Sequence, residues 1–121
     1  MPESIEISTL PEDLKACCEA LLDKKAEDVT ILDVKGHSSI TDYYIIASGQ
    51  SSPQLKAMAE SARMALKSQE GPVGTIDGDP ASGWVVMDAF AFVLHLFLGE
   101  TRDTYALESL WKDRPSLVMQ G

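Results

Sequence analysis

The chain has 121 residues, enough for one domain to bury a core without disulfide or metal staples. Its 45% apolar and 24% charged residues are ordinary soluble usage and exclude global disorder. A formal net charge of −9 excludes a chain that itself grips a phosphate backbone, which takes clustered Lys and Arg, and favours a basic protein partner with little direct nucleic-acid contact.

From the N-terminus, MPESIEISTLPED is acidic and has no apolar stretch of the secretory kind, so no signal peptide is expected. Thr9-Leu10-Pro11-Glu12 reads as a capping box. Leu10, Leu14, Cys17, Cys18 and Leu21 follow at helical spacing and predict an amphipathic helix to about Ala26. The two cysteines are adjacent, which rules out a C-x-x-C ligand pair, and they read as packed thiols of a reducing compartment. Residues 29–35 are β-branched and apolar and end at Gly36, as a strand does. Residues 43–47 are apolar on both faces, the pattern of a strand covered from both sides.

Ser52-Pro53 predicts the next helix start, with Ser52 as N-cap and Pro53 first in the helix. Leu55, Met58, Ala59, Ala62, Ala65, Leu66 and Gln69 mark its inner face, and Gly71-Pro72 stops it. VGTIDGDPASG reads as a short strand followed by a turn. Residues 84–87 and 92–98 form two strands close enough for a hairpin. Their longest apolar run, 90–98, is too short to cross a bilayer and contains His95, so a cytoplasmic protein without a membrane contact is expected. Thr101 is placed to cap a last helix carrying Leu107, Leu110 and Trp111, ended by Asp113 and Pro115. The predicted fold is a single α/β domain at 9–115, a mixed β-sheet with helices packed on it, between flexible ends at 1–8 and 116–121.

With these elements in place, the chain resembles the ribosomal silencing factor (Iojap-like) family. The resemblance is carried by Asp33, Lys35-Gly36, SSITDYYIIASGQSS at 38–52, Lys56, Gly83-Trp84, Asp88, HLFL at 95–98, Arg102, Tyr105, Leu107, Glu108, Leu110 and Trp111. It implies a nucleotidyltransferase-like shape without the catalytic groups. It also implies a translation repressor that docks on the large ribosomal subunit, on ribosomal protein number fourteen, and blocks joining of the small subunit under nutrient limitation. One segment departs from the family pattern. Asp88-Ala89-Phe90-Ala91 lacks the glycine and second aspartate of the usual Asp-aromatic-Gly-Asp hairpin.

Two catalytic readings compete with binding. A nucleophile at Ser38, Ser39 or Thr41, activated by His37 or His95 and oriented by Asp42, lacks a nucleophile elbow or oxyanion loop. A small nucleotide-dependent transferase built on the 48–52 loop needs carboxylates fixed on strands around metal ions, whereas Asp77-Gly78-Asp79 before Pro80 reads as turn chemistry. The helix start after Gly49 leaves weak anion binding open. His95, mid-strand with no second histidine nearby, reads as a satisfied imidazole donating to a carboxylate or carbonyl, with Asp88 across the hairpin as a candidate. The expectation is therefore a non-enzyme without cofactor or metal. Its partner-binding residues are expected at Ser38, Ser39, Thr41, Asp42, Trp84, Asp88, His95 and Glu108. Apolar edge strands permit a homodimer without demanding one.

Overall fold

Leu14, Cys17, Cys18 and Leu21 do share one helical face, and α1 (Glu12–Asp23) buries all four. The computed structural model describes residues 5–38, 41–69, 76–89 and 91–119. The helix starts without the expected capping box. Pro11 flanks it, and Thr9 instead closes a 3₁₀ turn (Ile7–Thr9), its hydroxyl donating to Glu6 O at 2.7 Å. Proline suits that position, since its fixed φ already matches the helix. The helix ends at Asp23 rather than Ala26 because Lys25 turns left-handed, at φ 65°. The N–H groups of Lys24 and Ala26 then fold back onto Leu21 O.

β1 (Glu27–Asp33) and β2 (Tyr43–Gly49) pair antiparallel, with a bulge between Glu27 and Thr30. α2 (Ser52–Ser68) is capped one residue earlier than expected, by Ser51. Ser51 Oγ accepts from Gln54 N at 3.2 Å, while Gln54 Oε1 accepts from Gln50 N at 2.7 Å. That reciprocal pair satisfies two donors that Ser52 could not reach from inside the helix. The expected stop at Gly71-Pro72 lies outside the described residues.

β3 (Ile76–Asp79) corrects the turn assigned to Asp77-Gly78-Asp79: these residues are strand. The turn follows as a 3₁₀ segment (Pro80–Ser82), capped by Asp79 Oδ1 accepting from Ala81 N at 2.9 Å. β4 (Trp84–Asp88) and β5 (Phe92–Leu98) form the expected hairpin. It closes without the missing glycine, through Ala89 N donating to Phe92 O at 2.9 Å. Phe90 lies outside the described residues.

The last predicted helix is two pieces. α3 (Gly99–Tyr105) has no side-chain cap from Thr101, and a left-handed Ala106 (φ 44°) separates it from a 3₁₀ segment, Leu107–Trp111. The 116–121 tail, expected as flexible, instead contributes β6 (Ser116–Met119), antiparallel to β1. Ile5, expected in a loose end, is buried and donates its N–H to Ser116 O at 3.1 Å. The tail pairs because the outer edge of β1 carries backbone groups that side-chain patterning does not reveal, and β6 in turn accepts from Ile5.

Among the described residues, six strands run in the order β3-β4-β5-β2-β1-β6, and of their pairings only β2–β5 is parallel. The sheet is mixed, as expected. One face, with Ile31, Ile45, Leu94, Leu96 and Met87, lies under α1 and α2 and forms the main core. The other face buries a smaller group, Leu32, Val34, Ile46 and Phe97, packed by Leu107 and Trp111.

Arg102 ties α3 to that second face. Only 8% exposed, its guanidinium donates to Asp28 O and Ser48 Oγ, both at 2.8 Å, and to Thr30 Oγ1 at 3.1 Å. One planar fork thus joins α3, β2 and the β1 bulge. Arg102→Lys keeps the charge but loses the fork, and we expect it to lower unfolding free energy by about 1.5–3 kcal/mol, read from urea midpoints. An unchanged midpoint would remove Arg102 from this role. A second expectation concerns the cysteines. Burial pushes the thiols of Cys17 and Cys18 up to about 12. A thiol reagent at pH 8 should therefore find no reactive cysteine in the native chain and both in urea.

Candidate partner-binding face

Alternation decides which side chains the second face presents. In β4, Trp84, Val86 and Asp88 point to it; in β5, Val93, His95 and Phe97; in β2, Tyr44, Ile46 and Ser48. The register sets Val86, His95 and Ile46 in one row across three strands and Trp84, Phe97 and Ser48 in the next. α3 packs on β5 and β2, with Tyr105 against Trp84 and Phe97, while Leu107 and Trp111 of the 3₁₀ segment cover Leu32, Val34 and Ile46. Trp84, His95 and Tyr44 remain half-buried and Asp88 exposed.

Trp84 is placed by the residue before it. Gly83 sits at φ 88°, and a Cβ there would come within 2.5 Å of Thr101 Oγ1, so only glycine admits this close turn into β4. The indole then stacks on Phe97 (centroids 5.1 Å) and meets Tyr105 at 4.5 Å. Its Nε1–H donates to His95 Nδ1 at 3.2 Å. His95 is thus an acceptor for tryptophan rather than a donor to Asp88. The register explains the difference, since Asp88 stands opposite Val93 and His95 opposite Val86. Burial pushes the His95 imidazole down to about 4, so it is neutral at pH 7 with its proton on Nε2.

From His95 the rings continue to Tyr44 at 5.5 Å and on to Trp111 at 5.9 Å. An aromatic belt therefore crosses β4, β5 and β2 to the 3₁₀ segment. Beside it opens an apolar cleft of about 260 Å³, floored by Tyr44, Ile46 and His95, with Trp84 on one flank and Leu107, Leu110 and Trp111 on the other. Leu110 is 69% exposed and Tyr105 53%, so the apolar surface extends beyond the cleft.

The sequence-predicted residues separate into two groups. Trp84, Asp88 and His95 come together on this face. Asp42 is exposed near the same end of the sheet, where its N–H donates to Ala91 O at 3.2 Å beside the hairpin. Ser38 is half-buried. Thr41, expected on the rim, is buried and donates to Tyr43 O at 3.4 Å, which places it beneath the surface. Ser39 and the side chain of Glu108 lie outside what the structure describes. Tyr44 was missed, because a strand expected to be covered on both faces is half-open on one. The signal was present: a tyrosine among aliphatic residues brings a polar tip that prefers water.

Of the groups that a nucleotide site at 48–52 would use, Ser48 and Ser51 are engaged internally. Ser48 is buried with its hydroxyl accepting from Arg102, and Ser51 caps α2. Asp77 and Asp79 lie on edge strand β3, opposite Val86 and Trp84, where they add negative charge beside the belt.

A family described as "ribosomal silencing factor during starvation" matches residues 7–121. The chain belongs to that family. Among its relatives, the ribosomal silencing factor RsfS of Zymomonas mobilis is 40% identical over 111 residues, covering 91% of this chain and 84% of that protein. A mouse protein named for mitochondrial assembly of the ribosomal large subunit is 35% identical over 102 residues, 82% of this chain and 45% of its own length. A crystal structure of a Chromobacterium violaceum protein superposes with a TM-score of 0.80 at 33% identity, covering 97% of this chain and 95% of that one. The single-domain α/β fold is thus shared with a solved relative. The match to 121 also takes in the residues of β6. Among the described residues, no helix is long and apolar enough to cross a membrane.

The state of His95 has a thermodynamic consequence. In the unfolded chain the imidazole takes a proton near pH 6.5, and in the folded chain near 4. Between these values the unfolded state binds more protons, so stability is full above pH 6.5 and falls as pH drops towards 4. The contribution is at most about 3 kcal/mol. His95→Gln retains an acceptor for Trp84 and removes the titration. Its urea midpoint should fall less steeply between pH 6.5 and 4 than that of the parent; parallel slopes would contradict the buried neutral imidazole.

Proposed function

We propose that this chain is a non-enzymatic translation repressor that docks on the large ribosomal subunit, on ribosomal protein number fourteen, and blocks joining of the small subunit when nutrients are scarce. It acts in the cytoplasm, and protein rather than RNA supplies its main contact. The observation that carries the reading is the uncovered aromatic face beside Asp77, Asp79 and Asp88, in a chain of net charge −9 that belongs to the ribosomal silencing factors. A family name gives the ribosome. Physical chemistry gives the manner: aromatic area supplies affinity, and carboxylates steer towards basic protein and away from phosphate. Obstruction needs only bulk at the joining surface, so no reacting group has to be present.

Trp84 and His95 stand at the centre of the proposed contact, with Asp42, Asp88 and Ser38 around it. Ser39, Thr41 and Glu108 remain part of the proposed contact region. Thr41, being buried, contributes by shaping the loop. Homodimer formation is not required, since one copy presents the whole face.

Sedimentation of the purified chain with large subunits in a sucrose gradient tests the proposal. The chain should travel with large subunits and lower the yield of joined ribosomes when small subunits are added. Trp84→Ala should weaken association by about 2 kcal/mol or more, roughly 30-fold, whereas Asp88→Asn should cost about 1 kcal/mol or less and act chiefly on salt dependence. No association at low salt would overturn the assignment.

A further inference from the structure

We propose that the cleft between Trp84 and Trp111 receives a single arginine side chain from the basic protein partner. The inference rests on the docking reading above for the source of that side chain, and adds the chemistry of the group that anchors it.

Size comes first. At about 260 Å³ the cleft is smaller than small-molecule and cofactor sites, which run about 300–1,000 Å³, and offers room for a side chain. Its walls are rings and aliphatic groups, with no carboxylate or basic side chain among the lining residues apart from His95. An anion would find no cation there. A lysine ammonium, a strongly hydrated point charge, would lose water without gaining an acceptor. Guanidinium is planar, more weakly hydrated and stacks on aromatic faces, which is what Tyr44, Trp84 and Trp111 provide.

Charge supports a cation over a neutral apolar anchor. Asp79 and Asp77 stand opposite Trp84 and Val86, and Asp88 follows on the same face of β4, so the β3–β4 flank of the cleft is acidic and exposed. The imidazole in the floor does not oppose a cation, since burial keeps His95 neutral at pH 7. Trp84 Nε1–H is already donated to His95, which removes from the cleft a donor that would repel guanidinium N–H groups. His95 thereby acts as a positioning residue that fixes the indole.

The test uses the intact chain and three capped tripeptides, Gly-Arg-Gly, Gly-Lys-Gly and Gly-Leu-Gly, titrated while the two tryptophan indole N–H signals are followed by NMR. The arginine peptide should shift both indoles saturably, the lysine peptide should need at least about 10-fold more for half the shift, and the leucine peptide should match neither. Raising salt should weaken the arginine response. Trp84→Ala should abolish the Trp111 shift; if that variant loses its fold, Tyr44→Leu serves in its place and should weaken the arginine titration at least 5-fold. A leucine or lysine peptide that binds as well as arginine, or the absence of any saturable shift, overturns the proposal. Large-subunit sedimentation of the same samples separates the two readings. Subunit binding without arginine preference removes this inference and leaves the docking role. Arginine binding without subunit association does the reverse.

Discussion

The guanidinium of Arg102 is the point on which the arrangement of the second face depends. It carries a full charge into a site 8% exposed, where it donates to a carbonyl and two hydroxyls. Burying a charge is costly unless its donors are matched, and the fork meets groups on β1 and β2 at once. The bulge in β1 makes this possible: Asp28, at φ 50°, turns its carbonyl towards the guanidinium. With α3 pinned there, the chain after it can only cross the sheet, and Ala106 turns it so that Leu107 and Trp111 reach Leu32, Ile46 and Tyr44. Remove that pin and both flanks of the aromatic cleft lose their reference.

A second constraint is the unequal cover of the sheet. α1 and α2 together bury one face, as helices do in most α/β domains. On the other, one short helix and a 3₁₀ segment leave Tyr44, Trp84 and His95 half-buried and Asp88 exposed. That face keeps rings that in a fully wrapped sheet would be core, and places carboxylates around them instead of a second layer. Exposed apolar surface of this kind on a domain that otherwise packs fully is what makes this face the proposed contact surface. Asp88, Asp77 and Asp79 add negative charge along that side of the sheet, which on the proposed reading would select basic protein.

How much of this was legible depends on the range of the forces involved. The α1 face and the α2 face follow from 3.6-residue spacing, and the β4–β5 hairpin from two apolar runs with a short connection. Caps were read less well. Ser51 and Ser52 are equally good N-caps by composition, and only the return bond from Gln54 to Gln50 chooses between them. Trp84, Asp88 and His95 were chosen as contact residues, and period-two alternation brings them to one side. The Thr41 hydroxyl turns inward to Tyr43 O, next to Asp42, whose backbone is held by Val34 and Ala91. Tyr44 and β6 escaped because exposure of one strand face, and pairing of one strand edge, depend on elements more than 50 residues away.

By itself, the sequence determined the elements that periodicity writes locally, the acidic net charge, and the motif set that places the chain among the ribosomal silencing factors. Tertiary structure alone decided which sheet face stays open, that His95 accepts from Trp84 instead of donating to Asp88, and that the tail closes the sheet as β6. These outcomes rest on hydrogen bonds and ring contacts between residues far apart in the chain. Local spacing carries no information about such partners until the strands have found their order.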